Sequence, residues 1–172
     1  INDEETYDTL FLYSDLDHHA IVEGTEVTIH GDHFFWFGYN EKLFTPEWKE
    51  VQLEYERTKV YWLNWMERTN AFKNYNDYIA RSAITLKLLS YDKTGAVLAA
   101  ATTSLPETIG EVRNWDYRFC WIRDASMVIK VMTQLGHKNI GKRYLNFIID
   151  LMPDKDEKLQ IMYGIDREKK LT

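Results

Sequence analysis

The sequence predicts a mainly α-helical chain with an N-terminal β segment. Two observations carry this reading. The texture changes near residue 45, from short β-branched and aromatic runs to long segments in which apolar residues recur with a 3.6 period. With 45% apolar residues and only three prolines and eight glycines among 172, a disordered, collagen-like or low-complexity chain is excluded.

Before residue 45, Thr9, Leu10, Phe11, Leu12 and Tyr13 suit a strand, and residues 25–30 alternate in polarity. Gly31-Asp32 is expected to close a hairpin, with 33–37 as the return strand. A two-stranded ribbon is marginal alone, so these strands call for more sheet or a helix to pack on. Thr45-Pro46-Glu47 reads as N-cap, first helical position and first-turn acid of a helix whose stripe is Trp48, Val51, Tyr55, Trp62 and Met66. Asn76 is expected to cap a second helix. Ile79, Ala83, Leu86 and Ser90 line one of its faces and Ile84, Leu88 and Tyr91 another, which predicts deep packing. Residues 91–95 break it, and 96–101 read as a short strand. A third helix runs over about 121–135, with Trp121, Ala125, Val128, Met132 and Leu135 on one side and Gly136 beyond its end. A fourth places Ile140, Tyr144, Phe147, Ile148 and Leu151 in register and stops before Pro153. Consecutive helices of this kind make helix hairpins, as in a bundle, a solenoid or an α/α barrel.

Composition excludes several classes. With 21 basic and 27 acidic residues the net charge is -6, so a nucleic-acid partner, which needs a basic face, is not expected. Apolar runs such as 96–101 fall far short of the ~20 residues that span a bilayer, so no membrane partner is expected either. The chain shows no basic-then-apolar leader, which leads to the expectation of a cytoplasmic location. The single Cys120 excludes an internal disulfide; flanked by Phe119 and Trp121, it is expected to be packed and inert. His30 and His33 flank the expected turn without the carboxylates or thiols that would complete a metal site, so no metal or other cofactor is expected.

The segment from Thr102 to Asp124 carries the chemistry. Trp115, Tyr117, Phe119 and Trp121 stand at alternate positions, with Arg113, Asp116, Arg118, Arg123 and Asp124 among and after them. Aromatic faces beside fixed Arg and Asp side chains suit a sugar. The rings pack on the C–H face of a pyranose, a carboxylate accepts from its hydroxyls, and a guanidinium donates in a planar fork. The plainer alternative is that Arg123-Asp124 only caps a helix and forms a surface ion pair, and that the aromatics plug a core. Glu107, after Leu105-Pro106, is read as a turn residue rather than a sugar ligand.

Four blocks go further. They are 81–89 (RSAITLKLL), 95–107 (GAVLAAATTSLPE), 113–124 (RNWDYRFCWIRD) and 160–166 (QIMYGID). Together they resemble glycoside hydrolase family 15, the glucoamylase-like enzymes, over roughly residues 45–168. The resemblance implies a partial (α/α)6 barrel preceded by the end of a β-sandwich and a linker helix. Residues 1–44 would be the sandwich end, 45–75 the linker and 76–172 the first barrel helices. It also implies inverting, exo-acting release of glucose from α-glucosides of the starch or maltooligosaccharide type. The alternatives are a trehalase of the same family or a non-catalytic carbohydrate-binding protein on the same scaffold. Tyr117, Trp121, Arg123 and Asp124 match residues that line the terminal-glucose pocket, and Phe119 stands where some members carry Tyr. The general acid and general base, both glutamates, lie downstream of the matched region. None of Glu107, Glu111 and Glu157 matches either, so no catalytic residue is expected in this chain, and the chain alone is expected to be inactive. The expected partners are an α-glucoside or oligosaccharide substrate and, for the apolar helix over 76–91, either self-association or a further barrel segment.

Overall fold

The structure, a computed structural model, describes residues 8–102, 108–152 and 158–171. It divides into two compact units, Ile1–Asn64 and Trp65–Thr172.

In the first unit, strand β1 (Leu10–Ser14) pairs antiparallel with β2 (Phe35–Tyr39), in a register that sets Leu10 against Tyr39 and Leu12 against Phe37. The expected hairpin over 25–37 does not form. Residues 25–30 belong to no strand, and a short helix, α1 (His18–Glu23), lies between the strands. The reason is Asp15. Its carboxylate accepts from the Phe34 N–H at 3.1 Å and faces His33 Nδ1 at 3.0 Å, anchoring the start of β2 beside the end of β1. Asp17 then caps α1 by accepting from the His19 N–H, and Gly24, at φ 66°, closes it. His33 is thus engaged with the Asp15 carboxylate through Nδ1 and lies 3.3 Å from the His30 carbonyl oxygen through Nε2. One face of the ribbon, made of Leu10, Leu12, Phe35, Phe37 and Tyr39, is apolar and exposed. Helix α2 spans Trp48–Met66, two residues later than Thr45-Pro46 predicts. Glu47 is its half-in residue: its carbonyl accepts from the Val51 N–H, and the Glu50 carboxylate accepts from the Glu47 N–H at 3.1 Å. The predicted stripe is only partly buried, with Trp48 and Tyr55 exposed.

In the second unit, α3 (Asn76–Leu88) starts after Tyr75, a non-glycine residue at φ 64°. Asn76 does not cap it; its side chain accepts from the Phe72 N–H at 2.8 Å and so shapes the approach. Only Ala83 of this helix is fully buried, and Tyr78 and Leu88 are exposed, so the deep packing expected of it is absent among the described residues. The expected strand over 96–101 reduces to one bridge between Ser90 and Val97. Strand β3 (Cys120–Trp121) leads directly into α4 (Ile122–Gln134), which a turn at Gly136 (φ 101°) joins to α5 (Lys138–Leu151). The α4–α5 hairpin follows its sequence pattern closely: Ala125, Met132, Leu135, Tyr144, Phe147 and Leu151 are all buried. Strand β4 (Met162–Tyr163) pairs antiparallel with β3, and Tyr163 and Cys120 join the core that α5 builds with Ala96 and Val97. Burial pushes the Cys120 thiol up, consistent with a packed, unreactive side chain. No helix among the described residues is long and apolar enough to cross a membrane.

His137 sits in the α4–α5 turn, buried, with its ring stacked on Trp65 at 3.9 Å and its Nε2 2.8 Å from the Thr69 hydroxyl. Burial first, and the charge of Arg68 second, hold its imidazole below the ordinary 6.5. The neutral ring is therefore the native form, and the unfolded chain takes up a proton first as pH falls. The stability this residue contributes is fully present above about pH 6.5 and is lost as pH drops through the folded value. Thermal melts from pH 7.5 to 5 should show a Tm that falls further for the native chain than for His137→Gln. Parallel pH profiles of the two would contradict this assignment.

Candidate functional site

The site is built where β3 becomes α4. Residues 117–119 run beside 99–100: the Ala99 N–H donates to the Phe119 carbonyl at 3.2 Å and the Ala100 N–H to the Tyr117 carbonyl at 2.9 Å. On the other side, the Ile122 N–H, at the start of α4, donates to the Ile161 carbonyl at 3.1 Å. The chain entering α4 is thus held from both sides, by segments about 20 and 40 residues away.

The four residues singled out by the sequence come together as a linked row. The Tyr117 and Trp121 rings are tilted at 41°, with centroids 5.6 Å apart. The Arg123 guanidinium carbon lies 6.0 Å from the centre of the Trp121 ring, at the outer limit of a cation–π contact. Arg123 Nη2 donates to Asp124 Oδ2 at 3.0 Å. Both charged side chains stay accessible, 67% and 36% exposed, so the pair leaves its polar edges open to a ligand. Asp124 lies in the first turn of α4, where the helix dipole favours a negative charge. Trp121 holds the cap position without a side-chain cap bond, and the pair therefore does not act as the helix cap.

Two neighbours outside that set shape it. The Trp121 indole N–H donates to the Asp116 carbonyl at 2.9 Å, so the indole offers its face rather than its N–H. Trp115 packs edge-on against the same indole, at 6.4 Å and 88°. The Asp116 carboxylate accepts from Arg118 Nη2 at 2.7 Å, from Arg118 Nε, and from the Arg118 backbone N–H. The Arg118 guanidinium beside it holds the Asp116 carboxyl below its usual range. Asp116 and Arg118 satisfy each other and leave the row to Arg123 and Asp124. The alternation of aromatics marked Trp115, whereas nothing local marked the Asp116 carbonyl as the indole's acceptor, because it depends on how the loop folds back over five residues. Phe119 leaves this row and lines a cleft of about 240 Å³ with Leu98, Arg118 and Ile165. Glu107 and Glu157 lie outside the described residues. No group of three or more His, Cys, Asp or Glu among the described residues is arranged to hold a metal ion.

The arrangement of an aromatic face, an open guanidinium and an open carboxylate on a rigid helix start can hold a polyhydroxylated ligand. Comparison with known proteins bears on which one. The chain is 37% identical over 130 residues to a trehalase of Thermoplasma volcanium, covering 76% of this chain and 20% of that protein. It is 40% identical over 120 residues to a trehalase of Mycobacterium tuberculosis, covering 67% and 18%. With a trehalase of Mycolicibacterium smegmatis it shares 45% identity over 98 residues, covering 55% and 15%. The chain therefore spans about one fifth of the length of the curated relatives it matches. No solved structure matches it. Glycosyl hydrolases family 15 matches residues 73–172, a span that holds α3, α4, α5 and the whole Tyr117–Asp124 row, and on that match the chain belongs to this family.

Proposed function

We propose that this chain supplies part of the terminal-glucose pocket of a trehalase. The observation that carries the reading is the contiguous row Tyr117, Trp121, Arg123 and Asp124, two rings and an open charged pair on one helix start. In this reading Trp121 and Tyr117 pack on the apolar face of a glucose ring. Arg123 donates to its hydroxyls and Asp124 accepts from them, away from the scissile bond. The relatives' name, trehalase, favours trehalose over the starch-type substrate to which the motifs first point. The same reading makes α3, α4 and α5 the opening helices of an (α/α)6 barrel, and the exposed flanks of α3 surfaces for further helices or for self-association.

The row binds and orients; it does not itself cleave. Inverting hydrolysis needs a general acid on the leaving oxygen and a general base on a water at the opposite face of the sugar. Neither role falls to Arg123 or Asp124, whose part is to fix the ring so that two carboxyls elsewhere in the protein meet it in line. Glucose release by the full-length protein from trehalose, maltose and isomaltose tests the reading. Trehalose should be preferred by about tenfold or more in kcat/KM, and the 172-residue chain alone should release nothing above a heat-killed control. Preference for maltose would return the function to the starch type.

A further inference from the structure

Residues 160–168 form a strap that joins the start of α4, β3, Thr94 and α5. The Ile161 carbonyl takes the first N–H of α4, Met162 and Tyr163 pair with Trp121 and Cys120, and the Thr94 hydroxyl donates to the Ile165 carbonyl at 2.6 Å. The far end of this strap is Arg167, and Arg167 is unusual in three ways. It is a non-glycine residue at φ 74°, a left-handed conformation that an L side chain adopts only when something holds it there. Its Nη2 donates to Asp150 Oδ2 on α5 at 2.6 Å, and its guanidinium carbon lies 5.7 Å from the centre of the buried Phe147 ring. Its Nε is buried with no hydrogen-bond partner among the described residues. A strained backbone and an orphaned donor both oppose this geometry. A local turn, with the Arg167 N–H donating to the Gly164 carbonyl at 3.2 Å and the Gly164 N–H to the Glu168 carbonyl at 3.0 Å, and the side chain's grip on α5 hold it together.

We infer that Arg167 is a positioning residue for the Tyr117–Asp124 row: by clamping the 160–168 strap to Asp150 and Phe147 it fixes the Ile161 carbonyl and β4, and through them the direction of Trp121 and the first turn of α4. The inference rests on the sugar-pocket reading for its consequence, though not for its mechanics. The strap meets the row's support at Trp121 and Ile122, and Arg167 acts on the sugar through these two residues.

The test uses the full-length protein with Arg167→Ala, Arg167→Gly, Arg167→Lys and Asp150→Asn. Hydrogen–deuterium exchange of peptides spanning 120–124 reads the strap directly. Arg167→Ala and Asp150→Asn should speed it about fivefold or more, while exchange within α4 and α5 stays as it was. Arg167→Gly relieves the left-handed strain but loses the clamp, and should match Arg167→Ala. Arg167→Lys keeps the charge without the planar stack and should restore part of the protection. The KM for trehalose should rise about three- to tenfold in the first two variants, with kcat changed less than about twofold. A lower Tm with unchanged exchange at 120–124 would overturn the proposal, as would an Arg167→Gly protein that behaves as the native one. Faster exchange with an unchanged KM would overturn it too, provided that Asp124→Asn in the same protein still impairs trehalose turnover. If Asp124→Asn leaves turnover intact, the sugar reading fails instead, and the exchange data alone decide whether Arg167 clamps the strap.

Discussion

Replacing Gly95 by alanine is expected to lower the free energy of unfolding by about 2–5 kcal/mol. Two costs add. Gly95 has φ 85°, and an L side chain in that region costs roughly 1–2 kcal/mol. A Cβ there would also lie 2.4 Å from the Arg143 carbonyl oxygen and 2.5 Å from the carbonyl carbon. Both atoms belong to the backbone of α5, which cannot step aside as a flexible side chain would. Relief requires moving the helix that carries Tyr144, Phe147 and Leu151 into the core, an overpacking cost of roughly 1–3 kcal/mol. The turn before it is tied to the same helix. Asp92 accepts from Lys87 Nζ at 2.7 Å and Arg143 Nη1 at 2.6 Å, so a shift of α5 strains that junction as well. Against a typical total of about 5–15 kcal/mol the loss is severe, and it should appear as a Tm lower by roughly 4–20 °C. Gly110→Ala supplies the control. Gly110 sits at φ 82° with open space where a Cβ would stand, so it carries the backbone cost alone. Equal destabilisation by the two substitutions would mean that α5 does not press on Gly95.

In the full-length protein, Asp124→Asn is expected to reduce kcat/KM for trehalose by about ten- to a hundredfold. A hydrogen bond between a charged group and a hydroxyl contributes roughly 1.5–3 kcal/mol, and the neutral amide also removes the negative charge that the Arg123 guanidinium meets at 3.0 Å. Arg123→Lys should be nearly as harmful, because an ammonium cannot reproduce the planar fork. The fold should tolerate both changes. The Arg123–Asp124 pair is largely exposed, and exposed ion pairs contribute only about 0–1 kcal/mol. Kinetics and thermal melts on both variants separate the roles: normal efficiency with a depressed Tm would reduce the pair to a structural contact.

Sequence pattern and structure agree best where the signal is local. The stripe through Ala125, Met132 and Leu135 and the one through Tyr144, Phe147 and Leu151 define α4 and α5, and Gly136 marks the turn between them, because a 3.6 period is read within a single window of chain. The Tyr117–Asp124 row was legible for the same reason. Its aromatics alternate within a few residues, and its charged pair falls in the first turn of the helix that follows. The β segment was legible only in kind. Residues 25–30 have the alternation of a strand but belong to none, while the true partners, β1 and β2, lie more than twenty residues apart around a helix of six residues.

The sequence by itself determined the helical register of α4 and α5, the family to which the chain belongs, and the residues proposed here to face a sugar. The tertiary structure decided the partners within each unit: in the first, Asp15 setting the start of β2, and in the second, the Asp116 carbonyl taking the Trp121 indole, the 160–168 strap bracing α4, and Arg167 holding that strap to α5. The physical reason is the range of each interaction. A helix closes its hydrogen bonds over four residues and declares its buried face in its own period, whereas a strand edge, a carbonyl acceptor or an ion pair accepts any partner that folding brings near. Which partner arrives depends on how the whole unit packs.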